Sequence, residues 1–504
     1  MTIRELLKTT YINYPHREAF VFKDGRATYA EYYAKVNQKA KALLEIGLKK
    51  GDHVGLMFPN CMEVLESILA LWSIGAVIVP LSFRLAPPEL TYVVDHSDAS
   101  AIVFHEMLGK LINAILPNVP KIKKLICSGK NPPEDYIDFE KIAKEQSTEP
   151  PNIELKVDDL CTITYTSGTT GKPKGVVTTH GRMVWAAVNL GTSNYNGYSR
   201  GLTMWPFFHI SAFLALCSTI TVGNTMVYMD KFDPVEMLET MEREKINGMG
   251  APPTVYKMVL RTPNIEKYDL SSVTGLASGS EVMPDETRKQ LQKVFFNAGI
   301  ANNYGMSETS GAISTRRPEY TESKPFSIGL PQTHMRVRVV DDDGNDVPLG
   351  EIGEIIVSGP SVMKEYYKMP EKTAEAIKDG WLHTDDMGRF DEDRFLYIIE
   401  RKHHMIKSGG ENIYPKEIEE VLYKHPKVLE AAVFGLPDET YGQKVCAAIV
   451  PKPGEEPTAG EIIGFAAENL ASFKKPKEVY FRKELPKNPI GKILRKELKE
   501  MYAK

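Results

Sequence analysis

The sequence predicts a mixed α/β protein built from more than one domain. The chain has 504 residues, more than a single hydrophobic core usually supports. Through the first two-thirds, short β-branched runs alternate with helical patterns, as in residues 53–58, 61–73 and 76–80. This βαβ rhythm predicts parallel sheets covered by helices. Short strands joined by polar turns follow from residue 325 onward, which favours an antiparallel sheet or a small β-barrel.

The C-terminal part of the chain predicts a separate, compact α+β domain. Helical patterns and strand-like runs alternate between residues 415 and 481, after a polar stretch at 400–404. We therefore expect an N-terminal domain over residues 1–400, made of two βαβ-type subdomains and a small β-barrel. A small C-terminal domain is expected over residues 401–504.

Composition excludes several classes of protein. A net charge of −4 gives no general attraction to nucleic acid or to anionic membranes. The five cysteines are scattered without metal-ligand spacing, so we expect no disulfide framework, no zinc site and a reducing compartment. The apolar segments 64–79 and 207–229 are too short or too interrupted for a membrane span, and the N-terminus lacks a signal-peptide pattern. The expected location is the cytoplasm.

The most informative segment is the loop at residues 165–176, Tyr-Thr-Ser-Gly-Thr-Thr-Gly-Lys-Pro-Lys-Gly-Val. Its glycines let backbone N–H groups close around an anion, its hydroxyls add donors and its lysines add positive charge. It differs from the nucleoside-triphosphatase P-loop, because Thr166 stands where the first glycine belongs and Pro173 where Ser or Thr is required. Alone, such a stretch is also compatible with a flexible surface loop. The expected phosphate-binding residues are Thr166, Ser167, Gly168, Thr169, Thr170, Gly171 and Lys174.

The order of this loop and of later motifs resembles the adenylate-forming enzymes, which include acyl-CoA synthetases, luciferases and the adenylation domains of peptide synthetases. The resemblance covers essentially the whole chain. The second motif, Asn-Tyr-Gly-Met-Ser-Glu-Thr at 303–309, is similar to the family's Tyr-Gly-x-Thr-Glu box. It implies that Tyr304 stacks on adenine and that Glu308, with the Thr166 hydroxyl, holds Mg²⁺. The other implied ATP contacts in this segment are Asn303, Gly305, Met306 and Ser307, the last standing where Thr is usual.

A third motif, at residues 381–388, is similar to the family's Trp-x-x-Thr-Gly-Asp segment. It implies that Asp386 accepts hydrogen bonds from the ribose hydroxyls, which Arg401 also reaches. Asp385 replaces the usual Gly, and because Asp tolerates a left-handed backbone we expect the turn to be kept. The turn at 278–281 resembles the segment that runs along adenine, with Glu281 either accepting from the adenine amino group or facing solvent. The implied contacts of that turn are Gly279, Ser280 and Glu281.

The last motif, Asn-Pro-Ile-Gly-Lys at 488–492, resembles the segment that carries the family's adenylation lysine, here Lys492. An ammonium there would offset the charge that builds as a carboxylate attacks the α-phosphorus. The resemblance also implies a mobile C-terminal domain that rotates about a hinge at His403, where Asp or Lys is usual. Since His titrates near neutrality, a pH-sensitive switch is a hypothesis. The implied CoA contacts are Ser408, Gly409, Gly410, Tyr441, Phe473 and Lys475, of which the last three are equally compatible with ordinary surface residues.

The acid itself is expected near residues 205–209, with His209 as the gating residue at the mouth of the pocket. Gly250, Ala277 and Ser278 would form other walls, although each is also compatible with a place in the core. These apolar or small residues favour a hydrophobic acyl or aryl group.

The sequence therefore predicts an ATP-dependent carboxylic acid:CoA ligase that uses ATP, Mg²⁺ and coenzyme A. It would form acyl-CoA through an acyl-adenylate, with release of pyrophosphate and AMP. A medium- or long-chain fatty acid is the expected substrate, and an aryl or alicyclic acid is the alternative. A further hypothesis is transfer of the acyl group to a carrier protein. Another is a non-catalytic nucleotide sensor, and that hypothesis would predict loss of Lys492 or Glu308. The expected partners are small molecules, with homodimers common among relatives.

Overall fold

The structure, a computed structural model, describes residues 1–166, 172–193, 197–279, 283–408, 411–487 and 493–503. It confirms the predicted α/β class. The chain divides into two units: unit 1 comprises Met1–Val337 and Val357–Leu382, and unit 2 comprises Arg338–Ile356 and His383–Lys504. The predicted division at residue 400 concerns motion during function and stays a prediction.

The α-helices alternate with the strands along most of the chain. In the described residues they are α1 (Ile3–Asn13), α2 (Tyr29–Glu45), α3 (Met62–Ser73), α4 (Pro87–His96), α5 (Gly109–Ile115), α6 (Phe139–Lys144), α7 (His180–Ser193), α8 (Ile210–Val222), α9 (Pro234–Arg243), α10 (Pro253–Leu260), α11 (Asp285–Val294), α12 (Pro370–Ala376), α13 (Pro415–Leu422), α14 (Ala459–Asn469) and α15 (Arg495–Tyr502). Single turns of 3₁₀ helix lie at Glu106–Leu108, Leu116–Asn118, Ile265–Lys267, Ser307–Thr309, Pro318–Tyr320 and Lys402–His404.

The strands belong to several separate sheets. In chain order they are β1 (Glu18–Phe22), β2 (Gly25–Thr28), β3 (His53–Met57), β4 (Val77–Pro80), β5 (Ala101–His105), β6 (Lys124–Ser128), β7 (Ile137–Asp138), β8 (Leu160–Thr166), β9 (Lys174–Thr179), β10 (Arg200–Thr203), β11 (Thr225–Tyr228), β12 (Gly248–Ala251), β13 (Gly275–Ser278), β14 (Gly299–Met306), β15 (Gly311–Arg316), β16 (Leu330–Pro331), β17 (Arg336–Val340), β18 (Gly353–Ser358), β19 (Glu365–Tyr366), β20 (Ile377–Lys378), β21 (Trp381–Phe390), β22 (Leu396–Arg401), β23 (Ile406–Ser408), β24 (Glu411–Ile413), β25 (Val428–Asp438), β26 (Gly442–Pro451) and β27 (Glu478–Phe481).

Local sequence explains where several helices begin and end. The Thr2 hydroxyl accepts from the Glu5 backbone N–H, while the Glu5 carboxylate accepts from the Thr2 N–H at 2.7 Å. Thr28 and Glu31 form the same reciprocal capping box at the start of α2. At the other end of a helix, α8 stops at Gly223, whose φ of +65° lies in the left-handed region that glycine adopts most readily.

Unit 1 contains the two βαβ-type sheets that the sequence predicted. One sheet has the strand order β19-β9-β8-β4-β3-β5-β6-β7, with β4, β3, β5 and β6 parallel. The other has the order β16-β15-β14-β13-β12-β10-β11-β1-β2, with parallel pairing from β14 through to β1. Both sheets add antiparallel strands at an edge. In the first sheet, β8 and β9 pair as an antiparallel hairpin.

Buried polar contacts fix the strand that leads into the phosphate loop. Trp72 on α3 is fully buried, and its indole N–H donates to the Cys161 carbonyl of β8 at 2.9 Å. The fully buried Lys39 on α2 lies 2.7 Å from the carboxylates of Glu66 and Glu140. Since removing one partner of a buried ion pair leaves an uncompensated charge, this triad holds three helices in one arrangement.

Antiparallel strands dominate the chain beyond residue 330. The order β17-β18-β21-β20, with β22 paired to β21, forms a five-stranded sheet. In unit 2, β25-β26-β27 form a three-stranded sheet, and β23 pairs with β24 as a short hairpin. A hydrophobic core beneath the three-stranded sheet includes Ile418 on α13 and Ile462 on α14. This is the α+β arrangement predicted for the C-terminal part.

All five cysteines are buried, and their thiols are free. Among the described residues, no helix combines the length and the hydropathy that a membrane crossing requires.

Candidate active site

The predicted phosphate loop is the connection of the β8–β9 hairpin. Thr166 ends β8 and pairs with Lys174 at the start of β9, and Tyr165 pairs with Gly175. This register places Thr166 and Lys174, the two ends of the predicted phosphate loop, side by side on neighbouring strands. Five predicted phosphate contacts lie outside the described residues: Ser167, Gly168, Thr169, Thr170 and Gly171.

The lysines of the loop lie against aromatic rings. The Lys174 ammonium is 4.4 Å from the centre of the Tyr366 ring, and 3.5 Å from the Tyr366 hydroxyl. Lys172 lies 5.2 Å from the ring of Tyr92, whose hydroxyl donates to the Pro173 carbonyl at 3.2 Å. An ammonium over a tyrosine ring is held weakly, so both cations stay available for an anionic ligand.

Glu308 lies in a tight turn after β14. The Thr309 hydroxyl donates to the Gly311 carbonyl at 2.7 Å, and Ser310 has a left-handed φ of +54°. The Glu308 side chain is only 8% exposed, and its Oε1 accepts a hydrogen bond from the Tyr366 hydroxyl at 2.8 Å. The turn therefore presents a buried carboxylate whose nearest partner is neutral.

These residues fit a hard divalent cation. Glu308 makes no salt bridge in the part of the chain that the structure describes, and its one side-chain hydrogen bond leaves the carboxylate with acceptor capacity. Mg²⁺ prefers oxygen ligands such as this carboxylate and the hydroxyl of Thr166. Both predicted ligands belong to unit 1.

The Tyr-Gly motif has a steric explanation. A Cβ at Gly305 would lie 2.1 Å from the Gly311 carbonyl oxygen, so only glycine lets β14 approach β15 here. Tyr304 beside it is largely buried. The Asn303 amide oxygen accepts from the Thr315 hydroxyl at 2.8 Å, which orders the strand before Met306 and Ser307.

Only some of the predicted acyl-pocket residues share a face of the sheet. Gly250 and Ala277 are direct neighbours in the parallel pair β12–β13, whereas Ser278 pairs with Ala251 on the opposite face. Ser278 is buried, and its hydroxyl has no hydrogen-bond partner among the described residues. Gly279 follows the end of β13, and Ser280 and Glu281 lie outside the described residues.

His209 lies directly before α8, with its ring 5.1 Å from that of Phe208. Burial, together with the positive charge of Arg84, lowers the pKa of His209 to about 4. The ring is therefore neutral at pH 7. A neutral, aromatic-lined position suits the predicted mouth of an apolar pocket.

Asp386 and Arg401 of unit 2 are paired. They are direct neighbours in the antiparallel pair β21–β22, and the Arg401 Nε lies 2.7 Å from Asp386 Oδ1. Asp386 is 3% exposed. The two residues predicted at the ribose are thus brought together, although they are 15 positions apart in sequence (401 − 386).

Two of the departures from the family pattern, Asp385 and His403, contact each other. Asp385 has a φ of +61°, so Asp keeps the left-handed turn that was expected from the sequence. Its carboxylate is hydrogen-bonded to Nδ1 of His403, the predicted hinge residue. No sequence pattern indicated this contact, since each residue was identified separately as unusual.

A second histidine adjoins the predicted hinge. The His404 Nδ1 lies 3.2 Å from the Glu400 carboxylate, and the rings of His403 and His404 are 4.3 Å apart. Burial lowers the pKa of His404 to about 4 despite the bond to Glu400, with the charge of Arg495 acting in the same direction.

The predicted CoA residues are dispersed over unit 2. Ser408 is buried at the end of β23, whereas Tyr441 and Phe473 are exposed. The ammonium of Lys477, which no sequence motif marks, lies 3.6 Å from the Tyr441 ring centre. Lys475 is exposed in the turn before β27. Gly409, Gly410 and Lys492 lie outside the described residues.

Comparison with known proteins identifies related families and structures. The family described as AMP-binding enzyme matches residues 8–367, and that described as AMP-binding enzyme C-terminal domain matches residues 417–492. A feruloyl-CoA synthase from Amycolatopsis sp is 34% identical over 493 residues, which cover 97% of this chain and 96% of that protein. A long-chain-fatty-acid–CoA ligase from Bacillus subtilis (strain 168) is 34% identical over 530 residues, covering 99% of this chain and 94% of that protein.

A solved structure shares the fold and was determined with bound ligands. It is the o-succinylbenzoate coenzyme A synthetase from Bacillus subtilis, in complex with ATP and magnesium ion. The TM-score is 0.86 at 30% sequence identity, and the match covers 98% of this chain and 99% of that one.

Proposed function

The chain belongs to the AMP-binding enzyme family, among its acyl-CoA synthetases, and from this premise we propose that it is an ATP-dependent carboxylic acid:CoA ligase. The carboxylate of the acid attacks the α-phosphorus of ATP, which forms an acyl-adenylate and releases pyrophosphate. The thiol of CoA then attacks the acyl carbon, which yields acyl-CoA and AMP. The observation that carries the proposal is the buried Glu308 carboxylate beside the strand that leaves the phosphate loop.

In the first reaction the loop residues and Lys174 hold the β- and γ-phosphates. Glu308 and the Thr166 hydroxyl would hold Mg²⁺, which neutralises phosphate charge when bound. Tyr304 lies along the adenine, and Asp386 accepts hydrogen bonds from the ribose. Lys492 compensates the charge that develops on the α-phosphate and the leaving group.

In the second reaction the domain over residues 401–504 turns about His403. This movement would withdraw Lys492 and present Ser408, Gly409 and Gly410 to the pantetheine of CoA. Tyr441, Phe473 and Lys475 would hold the CoA nucleotide through an aromatic face and a cation. A prediction follows for Lys492→Ala, which should lose adenylation but keep thioester formation from supplied acyl-adenylate. Loss of both reactions would contradict this two-conformation scheme.

For the acid, we favour a medium- or long-chain fatty acid. Where β12, β13 and β14 pair with one another, one face carries only Gly or Ala, at positions 248, 250, 275, 277, 299 and 301. Among the described residues, a Cβ added at Gly250 would meet no heavy atom closer than 3.9 Å, and one added at Gly275 would meet none within 4 Å. This open floor over Gly250 and Gly275 ends at Gly299, where an added Cβ would lie 2.8 Å from Pro318, and it suits an extended methylene chain. The feruloyl-CoA synthase relative supports an aryl acid as the second candidate.

The proposal is tested by measuring pyrophosphate release across acids of graded length and shape, with and without CoA. We expect release with a fatty acid, and conversion to acyl-CoA and AMP once CoA is added. Pyrophosphate release that requires a phosphopantetheinylated carrier protein, with no thioester on free CoA, would favour transfer to a carrier. ATP binding without release for any acid would favour a nucleotide sensor.

The floor of the pocket gives a second test. Gly275→Leu should reduce activity on long acids much more than on short ones, because its side chain fills the open space above β13. Gly464→Leu is the matched control, since Gly464 is exposed on α14 and a Cβ there also meets no atom of the described part of the chain within 4 Å. Equal losses on all acids with Gly275→Leu would contradict this assignment of the floor.

A further inference from the structure

A short segment at residues 362–367 is bound along the strand that leaves the phosphate loop. The Lys364 N–H donates to the Val177 carbonyl at 2.9 Å, and the Tyr367 N–H donates to the Gly175 carbonyl at 2.8 Å. The Arg182 Nε donates to the Val362 carbonyl at 2.7 Å. This segment, called the strap below, is therefore fixed to β9 through Lys364 and Tyr367 and to α7 through Val362.

The strap holds Glu308 at two points. The Met363 N–H donates to the Glu308 carbonyl at 2.6 Å, and the Tyr366 hydroxyl donates to Glu308 Oε1 at 2.8 Å. Tyr366 is 5% exposed, so this hydrogen bond is shielded from water. Because both the backbone and the carboxylate are held, the position of the Glu308 side chain depends on the strap.

Tyr366 also adjoins the predicted phosphate-binding lysine. The Lys174 ammonium lies over the Tyr366 ring and within 3.5 Å of its hydroxyl. Tyr366 thus stands between a cation assigned to the phosphates and a carboxylate assigned to Mg²⁺. A neutral spacer keeps the two apart, whereas a direct ion pair would cancel the charge that each needs for its ligand.

We infer that Tyr366 is a positioning residue, which aims the Glu308 carboxylate at the cation of the Mg·ATP substrate and keeps Lys174 free for the phosphates. This inference rests on the proposed function. Hydrogen bonds from outside the first coordination shell fix the orientation of metal ligands, and their loss typically weakens metal affinity by about 10-fold to 100-fold. The hydroxyl of Tyr366 is placed for this role, and it contacts the substrate through Glu308 rather than directly.

The test compares Tyr366→Phe with Tyr367→Phe. The first variant keeps the ring beneath Lys174 but removes the donor to Glu308. The second removes the neighbouring hydroxyl of the same strap, which donates to Asp98 Oδ2 at 2.9 Å and faces away from Glu308. Binding of Mn²⁺ is measured by electron paramagnetic resonance in the presence of a non-hydrolysable ATP analogue. We expect Tyr366→Phe to weaken Mn²⁺ binding about 10-fold, and Tyr367→Phe to leave it unchanged.

Two further measurements separate positioning from a general loss of structure. Excess Mg²⁺ should restore the kcat of Tyr366→Phe, because the variant is expected to need a higher Mg²⁺ concentration and to be otherwise unchanged. In a Glu308→Gln background, Tyr366→Phe should cause no further loss of Mn²⁺ affinity, since the two residues act through one contact. Wild-type affinity in Tyr366→Phe, equal weakening in Tyr367→Phe or additive losses in the double variant would each overturn the inference. The Mn²⁺ affinities are binding measurements, so they do not depend on whether any acid is activated. Acid activation is tested separately, by the pyrophosphate-release screen.

Discussion

Glu308 in unit 1 and Asp386 in unit 2 are both buried carboxylates, but different partners hold them. Glu308 accepts from the neutral hydroxyl of Tyr366 at 2.8 Å, and Asp386 is paired with the guanidinium of Arg401 at 2.7 Å. Both are less than one-tenth exposed. Two carboxylates of similar burial therefore differ in the charge of their partners, which is neutral for Glu308 and positive for Asp386.

The difference indicates a division of roles. A buried carboxylate with a neutral donor keeps its charge for a cation, although burial makes that charge costly without one. A carboxylate already neutralised by arginine has little left to attract a cation, yet its oxygens still accept hydrogen bonds from hydroxyls. Glu308 thus suits a metal ligand, and Asp386 suits a ribose acceptor.

The largest expected effect comes from removing the charge of Glu308. Glu308→Gln should slow pyrophosphate release by about 100-fold to 1000-fold, because the amide cannot compensate the cation that neutralises the phosphates. Single-turnover pyrophosphate release measures this. Glu365→Gln, on the strap, is the matched control and should be near wild type. Similar losses in both variants would show that the charge of Glu308 has no special part.

Asp386→Asn should have a smaller effect of a different kind. The amide keeps an acceptor oxygen but leaves Arg401 without its counter-charge, so we expect the KM for ATP to rise about 10-fold with little change in kcat. Steady-state kinetics distinguish the two parameters. Asp393→Asn, in the exposed turn between β21 and β22, serves as control. A fall in kcat as large as that of Glu308→Gln would remove the distinction between the two carboxylates.

Acid should loosen the region around Asp386 and leave the turn at Glu308 unaffected. The unfolded chain binds a proton on His404 near pH 6.5, whereas the folded protein binds it only near the lowered pKa of about 4. The unfolded state therefore binds more protons between these values, and stability falls as pH decreases from 6.5 toward 4. At one pH unit below 6.5, the free energy of unfolding of this region should be lower by about 1.4 kcal/mol, which corresponds to an about 10-fold larger population of the locally unfolded state.

Hydrogen exchange, corrected for the intrinsic pH dependence, measures this difference. Amides of β22 and β23 should lose protection on acidification, and those of residues 306–316, a segment without histidine, should not. His404→Gln should abolish the effect in unit 2. Equal acid sensitivity of both regions would contradict it.

The smallest expected effect concerns the hinge. His403 is hydrogen-bonded to Asp385, and the hypothesis of a pH-sensitive switch is checked by measuring thioester-forming and adenylating rates from about pH 6 to 8 in wild type and in His403→Lys. We expect the two pH profiles to differ, because lysine keeps its charge throughout this range. Parallel profiles for wild type and variant would contradict the hypothesis.

The fold class could be predicted, and the motifs could be identified, from the sequence because both depend on local patterns. The β8–β9 hairpin and the left-handed Asp385 follow from residues close together in the chain. Contacts between distant segments escaped prediction. Tyr366 reaches Glu308, 58 positions away, only because β19 pairs with β9, and no motif marks that pairing.

The same reason explains two other differences. Ser278 belongs to a recognisable turn, yet strand register turns it to the face opposite Gly250 and Ala277. Asp385 and His403 each stood out as unusual, but their contact needs the β21–β22 register. The sequence shows which residue types are present, but the face of the sheet on which each side chain lies depends on the pairing of strands that are distant in sequence.

The burial of all five cysteines offers an experimental advantage. Burial raises the pKa of Cys127 and of Cys161 to about 12, so neither thiol is ionised at neutral pH. Maleimide dyes would then react selectively with cysteines introduced at exposed positions, such as Glu371 in unit 1 and Glu439 in unit 2. Energy transfer between two such dyes would follow the rotation expected during turnover in single molecules, without first removing the native thiols.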